Sequence, residues 1–276
     1  MSSAFSTPAT AGPASLVLRG VSFGYEAGEP VVSEVSATLE PGRLCCLIGP
    51  NAAGKSTLMK LMLGQLRPWR GSLELGGRPL ARLRPIERAR RVSYVPQRGA
   101  MGFAFTVRQV VEMGRFAAGP SPEVVNRAMA LCDLEKLAGR VYAHLSGGQQ
   151  QRALIARALA QAWEGGELML LDEPGSSLDL WHVHRLMQLL REQARQGRAV
   201  LMAVHDLNLA ARYADEVWLM DRGRMKAAGS WREVLRPELL EAVYRVGLTP
   251  LRGETGGRPV FRIEPIDTLS GSGAAS

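Results

Sequence analysis

The sequence predicts an α/β protein with a mainly parallel sheet, antiparallel strands near its N-terminus and a helical subdomain inserted into the core. Three observations carry that prediction. Short apolar runs at Arg43–Ile48, Leu168–Leu171, Ala199–Val204 and Glu216–Met220 alternate with helical patterns, as in a parallel sheet covered on both faces. A glycine-bearing loop joins the first of those runs to a helical pattern that starts at Lys55. From about residue 103 to 161 the strand pattern disappears and the chain reads as helical.

Taken in order, Val17–Tyr25 and Val31–Leu39 have alternating apolar positions and predict strands. The helix from Lys55 carries Leu58, Met59, Leu61 and Met62 and stops at Gly64. Thr106–Met113, Pro122–Cys132 and Gly147–Gln161 predict the inserted helices, and Trp181–Gln196 and Leu207–Ala214 those between the later strands. Asp221-Arg222-Gly223 is a turn that opens a hairpin, and residues 249–267, with a turn near Gly253–Gly257, predict a terminal one. Residues 1–14 and 269–276 are Ser-, Ala- and Gly-rich and read as disordered tails. One domain is expected over residues 15–268, with its helical subdomain at about 100–163.

Composition narrows the function classes. Of 276 residues, 46% are hydrophobic and 22% charged, enough to bury a core. The longest apolar stretches, such as Leu44–Ile48, fall well short of the roughly 20 residues that span a bilayer. No basic head with an apolar run opens the chain, so the expectation is a soluble, cytoplasmic protein. Cys45, Cys46 and Cys132 form no paired framework and no CxxC, which disfavours disulfides and structural zinc. The net charge of +8 comes mostly from arginine and suits nucleic acid, acidic headgroups or an anionic substrate alike.

Three motifs carry chemistry. Gly49-Pro50-Asn51-Ala52-Ala53-Gly54-Lys55-Ser56 matches G-x-x-x-x-G-K-[ST] between a strand and a helix, with Thr57 following. Backbone amides of such a loop converge on phosphate oxygens, Lys55 reaches the β- and γ-phosphates, and the Ser56 hydroxyl can hold Mg²⁺. At the end of Leu168–Leu171, Asp172 can hold Mg²⁺ through water, and Glu173 can orient and deprotonate an attacking water. Pro174 leaves open the plainer reading, two acids at a helix start. Leu145-Ser146-Gly147-Gly148-Gln149 precedes a helix and offers a hydroxyl and bare amides to an anion, or simply a helix cap.

With all three in order, the chain resembles the ATPase subunits of ATP-binding cassette (ABC) transporters over roughly residues 15–250. The resemblance implies a P-loop NTPase (RecA-like) fold, ATP and Mg²⁺ as ligands, and further site residues. Tyr25 resembles the aromatic residue that stacks on adenine. Gln97, in Val95-Pro96-Gln97, resembles the glutamine that senses Mg²⁺ and contacts the membrane partner. His205 is similar to the histidine at the γ-phosphate, and Asp179 to the residue that communicates across the dimer; it also reads as a helix cap. Ala52 stands where the family usually has glycine, which adds strain on the order of 1 kcal/mol if φ is positive. Gly175 stands where threonine is usual.

The implied assembly is a head-to-tail homodimer on ATP, with Lys55, Ser56, Asp172, Glu173 and His205 of one copy facing Ser146–Gln149 of the other. Its partners are membrane permease subunits and a periplasmic or extracellular substrate-binding protein, and its place is the cytoplasmic face of the cell membrane. Gly102-Phe103-Ala104-Phe105, Met113-Gly114-Arg115, His205–Ala210 and Leu235–Leu239 resemble importers of iron chelates, haem and cobalamin. Gln161-Ala162-Trp163-Glu164 resembles the haem and cobalamin members. An iron chelate such as haem or a ferric siderophore is the expected cargo, with cobalamin import, then export, as alternatives. No nucleic-acid partner is expected, because no long heptad insert separates Lys55 from Ser146. Arg82, Arg84, Arg88, Arg90 and Arg91 form either a solvated helix face or a contact with anionic headgroups.

Overall fold

The computed structural model describes residues 15–97, 99, 101–252 and 257–264. β1 (Leu16–Phe23) and β2 (Val32–Leu39) precede β3 (Leu44–Ile48), whose loop leads into α1 (Lys55–Met62). β4 (Arg70–Leu75), β5 (Arg78–Pro79), α2 (Pro85–Arg91) and β6 (Val92–Val95) follow, then α3 (Val107–Glu112), α4 (Pro122–Leu131) and α5 (Gly147–Ala162). β7 (Leu168–Asp172), α6 (Leu180–Arg195), β8 (Ala199–Ala203), α7 (Leu207–Tyr213) and β9 (Glu216–Asp221) complete the alternating core. The chain continues through β10 (Arg224–Ser230), α8 (Trp231–Val234), α9 (Pro237–Tyr244), β11 (Gly247–Arg252) and β12 (Pro259–Glu264).

The central sheet has the order β10-β9-β3-β8-β7-β6. β9, β3, β8, β7 and β6 run parallel, and β10 is an antiparallel edge. β3, β7 and β8 are buried at every position, which is why they read as unbroken apolar runs. Their side chains still alternate between two cores. Leu44, Cys46 and Ile48 join the α5, α6 and α7 side, while Cys45 and Leu47 join α1 and the antiparallel sheet β2-β1-β4-β5. All three cysteines are free and buried, and burial pushes the thiols of Cys46 and Cys132 up to about 12.

Each strand and helix expected from the pattern is present within a residue or two. β4, β5, β6, α2, α8 and α9 were not foreseen. β6 is only four residues long and places Ser93 in the core, so its apolar signal is too short to stand out. β11 and β12 form the expected terminal hairpin, but most of its turn near Gly253–Gly257 lies outside the described residues, as do both tails. The hairpin is fastened to α7. Asn208 Nδ2 donates to Phe261 O at 3.2 Å and its Oδ1 accepts from Phe261 N at 2.7 Å, while Arg258 donates to the carbonyls of Ala211 and Ala214.

The arginine stretch does not form one face. Arg91 pairs with Glu167 at 2.6 Å, Arg90 donates to Ala117 O, and the Arg84 backbone N–H donates to Glu87 Oε2 at 2.9 Å.

Candidate nucleotide site

The loop between β3 and α1 is shaped by its glycines. Gly49 has φ 150° and Gly54 φ 96°; a Cβ on Gly49 would stand 2.2 Å from Met220 O, and one on Gly54 2.8 Å from Val31 O. Both sites therefore exclude a side chain. Ala52 does have a positive φ, 62°, so the strain expected there is present, worth about 1 kcal/mol. The loop wraps Lys55, whose ammonium donates to Gly49 O at 2.7 Å and Pro50 O at 2.9 Å. Burial lowers the Lys55 pKa, and the carboxylates of Glu173 and Asp172 oppose that shift. No acidic residue occupies the first turn of α1, and Gly54 provides no side-chain cap, which leaves this helix start suited to an anion.

Asp172 ends β7, between β8 and the edge strand β6, and is buried, with its Oδ1 lacking a hydrogen-bond partner. Burial raises its pKa; the Ser56 hydroxyl opposes the shift and the Glu173 charge adds to it. Glu173 turns out of the strand with φ 48°, a left-handed conformation that a bulky residue adopts at some cost. Its carboxylate is held from both sides: Gln97 Nε2 donates to Oε2 at 2.5 Å, and His205 Nε2 meets Oε1 at 2.5 Å. Gln97 follows β6 and His205 follows β8, so the two strands next to β7 supply its supports.

The phosphate loop and Glu173 share one opening. A cavity of about 370 Å³ is lined by Val31, residues 51–57 and Glu173. Tyr25 stands beside it, 59% exposed, with its hydroxyl 3.4 Å from Thr57 Oγ1 and its ring edge-on to Phe23 at 5.2 Å. An exposed ring braced in this way can accept a flat base.

Ser146–Gln149 do not line that cavity. Ser146 caps α5 in a reciprocal box with Gln149, and Gly147 and Gly148 face Ser177, in the loop that leads to Asp179. Asp179 caps α6, accepting from His182 N at 2.9 Å. Two supports escaped the sequence reading. Gly223 N donates to Ala53 O at 3.0 Å, so the turn at Asp221-Arg222-Gly223 braces the phosphate loop, and its only signal was the turn itself. Gln151 Nε2 donates to Pro96 O at 3.4 Å and steadies the segment that carries Gln97.

The ABC transporter family model matches residues 32–176. The chain belongs to the ABC transporter family. As an ABC ATPase it binds and hydrolyses ATP. It is 46% identical over 237 residues to the hemin import ATP-binding protein of Pseudomonas fluorescens, covering 84% of this chain and 93% of that one. It is 41% identical over 245 residues to the cobalamin import ATP-binding protein of Halobacterium salinarum, covering 85% of this chain and 61% of that one. Among solved structures it is similar to an ABC transporter assigned to the metal-chelate type in an inward-facing conformation, with TM-score 0.75, 29% identity, and coverage of 92% and 97%. A bacterial ABC transporter cassette solved as a dimer gives TM-score 0.71 at 26% identity, with coverage of 78% and 98%.

Proposed function

We propose that this ABC ATPase is the ATP-hydrolysing subunit of an importer, working as a head-to-tail homodimer beneath separate membrane permease subunits at the cytoplasmic face of the membrane. Its cargo is an iron chelate such as haem or a ferric siderophore, delivered by a substrate-binding protein on the outer side. The observation that carries the catalytic part is Glu173, fixed between Gln97 and His205 at the mouth of the phosphate-loop cavity. The importer part is supported by the hemin and metal-chelate relatives. Cobalamin is the second reading, favoured by the halobacterial relative.

The chemistry follows from the side chains. Lys55 exchanges its two loop carbonyls for phosphate oxygens at the uncapped start of α1. Tyr25 stacks on the adenine. Glu173 takes the proton from the attacking water, while Gln97 and His205 aim its carboxylate, and His205 also contacts the γ-phosphate. Asp172, Ser56 and Gln97 fit Mg²⁺: the buried Asp172 Oδ1 has no hydrogen-bond partner and can accept a cation. Among the described residues no three His, Cys, Asp or Glu gather into a metal group, so the ion would arrive with the nucleotide phosphates. When bound, Mg²⁺ supplies neutralisation of the phosphate charge.

Ser146–Gln149, turned away from the chain's own cavity, serve the nucleotide on the second copy, next to Asp179. Among the described residues no helix is long and apolar enough to cross a membrane, which fits a subunit that relies on a permease.

The test is uptake of labelled haem, ferric siderophore and cobalamin by cells carrying Lys55→Ala in place of the native chain. Selective loss of haem or siderophore uptake supports the assignment; unchanged uptake of all three overturns it.

A further inference from the structure

A second concavity lies away from the nucleotide. It measures about 850 Å³ and runs between α6, α7 and the start of β12. His184, Gln188, Arg191 and Arg195 come from α6, spaced so that they share one helix face. Arg212 of α7 and Arg258 just before β12 close the other side. The walls are apolar as well, from Leu180, Val183, Leu209, Pro259 and Val260.

Positive charge is in excess here among the described residues: four arginines line the groove against one carboxylate, with Asp215 also acting on Arg258. Asp206 is the only carboxylate lining the groove, and it is committed to the amides of Asn208 and Leu209 at 2.8 and 3.1 Å as the cap of α7. The Arg195 partner, Glu192, stands 3.6 Å away in an exposed pair that offsets little. Arg258 is stacked on the Trp231 ring at 4.8 Å, with Arg232 on that ring at 4.4 Å. Burial and the nearby guanidinium of Arg191 disfavour its charge, and the Asp215 carboxylate opposes that shift. Arg258 is held by the carbonyls of Ala211 and Ala214 and Arg195 stands beside Glu192, so Arg191 and Arg212 are the guanidinium groups best placed to meet an anion in the groove. The size of the groove and its apolar walls are ill matched to a bare phosphate. They suit a body with apolar surface and more than one acid group.

We propose that this groove between α6, α7 and the terminal hairpin binds an amphipathic organic anion, a flat apolar body bearing carboxylates, with the arginines taking the carboxylates and the aliphatic walls the body. Hemin, a planar macrocycle with a pair of carboxylates, belongs to this class. Linking the groove to cargo rests on the import function proposed above. The placement has a consequence for the cycle. α6 is capped by Asp179 and α7 starts just after His205, so an occupant holds together two helices whose starts carry residues assigned to the ATP cycle.

The experiment titrates the purified full-length chain with hemin, read by porphyrin absorbance and calorimetry. It is repeated with the double variant Arg191→Gln/Arg212→Gln, whose unchanged ATP hydrolysis reports a folded protein. Saturable binding at one site, weakened tenfold or more in the double variant, is the expected result. Absence of saturable binding, or a change of less than threefold, overturns the proposal. Pyrophosphate is the competing arm: if it displaces hemin at equal concentration, the groove reads charge alone and the amphipathic assignment falls. Haem uptake by cells separates this from the import reading. Normal uptake without binding in the groove sinks the groove only, whereas binding without uptake by native cells sinks the import assignment only.

Discussion

Asp172 and Lys55 bring opposite charges into a site built for a larger, more highly charged ligand. Burial raises the Asp172 pKa, so in the nucleotide-free protein the carboxylate is held at a cost. An acid whose folded pKa exceeds its unfolded value favours folding as pH falls from above the raised value toward the ordinary carboxylate range, and disfavours it above. Near neutral pH, Asp172→Asn is therefore expected to raise the melting temperature of the nucleotide-free chain and flatten that pH dependence, while turnover is lost. Thermal unfolding across pH checks this, and a lower melting temperature for the variant contradicts it. At Ala52, replacement by glycine relieves about 1 kcal/mol of left-handed strain but adds chain entropy worth 0.5–1 kcal/mol to the unfolded state. Ala52→Gly should accordingly change stability by less than about 1 kcal/mol in urea unfolding. The sequence revealed both residues, since one sits in a motif and the other breaks it. It did not reveal that Glu173 has φ 48° or that its carboxylate is gripped twice, because those depend on three strands lying side by side.

The capping positions tie helices to chemistry. Ser146 and Asp179 are both N-caps by geometry, and the glycines after Ser146 lie against Ser177, in the loop that ends at Asp179. Ser146→Ala and Asp179→Ala should each cost about 1 kcal/mol in equilibrium unfolding. Asp179→Asn retains an acceptor for His182 N and should leave stability within about 0.5 kcal/mol of native. If turnover nevertheless falls in that variant, the Asp179 charge is used in the ATP cycle beyond capping; unchanged turnover limits it to the cap. The helices and core strands were legible because their apolar period is long or their apolar run unbroken. The elements that escaped were short and amphiphilic. α8 is a single turn, and the two-residue β5 pairs only with β4. Neither gives a periodic signal of its own, and both exist because neighbours hold them.

Across the whole molecule, the nucleotide site is half built. The phosphate loop, Asp172, Glu173, Gln97 and His205 converge, while Ser146–Gln149 lie outside the cavity on the same chain. That separation supports the head-to-tail dimer proposed above, and no single-chain pattern in the sequence could express it without the family resemblance. The terminal hairpin adds a second coupling, since Asn208 binds both the N–H and C=O of Phe261. Asn208→Ala removes both bonds and should destabilise the chain by about 1–3 kcal/mol in equilibrium unfolding. The most direct test of the account is Glu173→Gln assayed with Mg²⁺ and ATP for both turnover and mass in solution. The expected result is retained ATP binding, an ATP-dependent dimer that persists, and turnover reduced by about 10²–10⁴-fold. Near-native turnover, or a variant that stays monomeric with ATP bound, would contradict it.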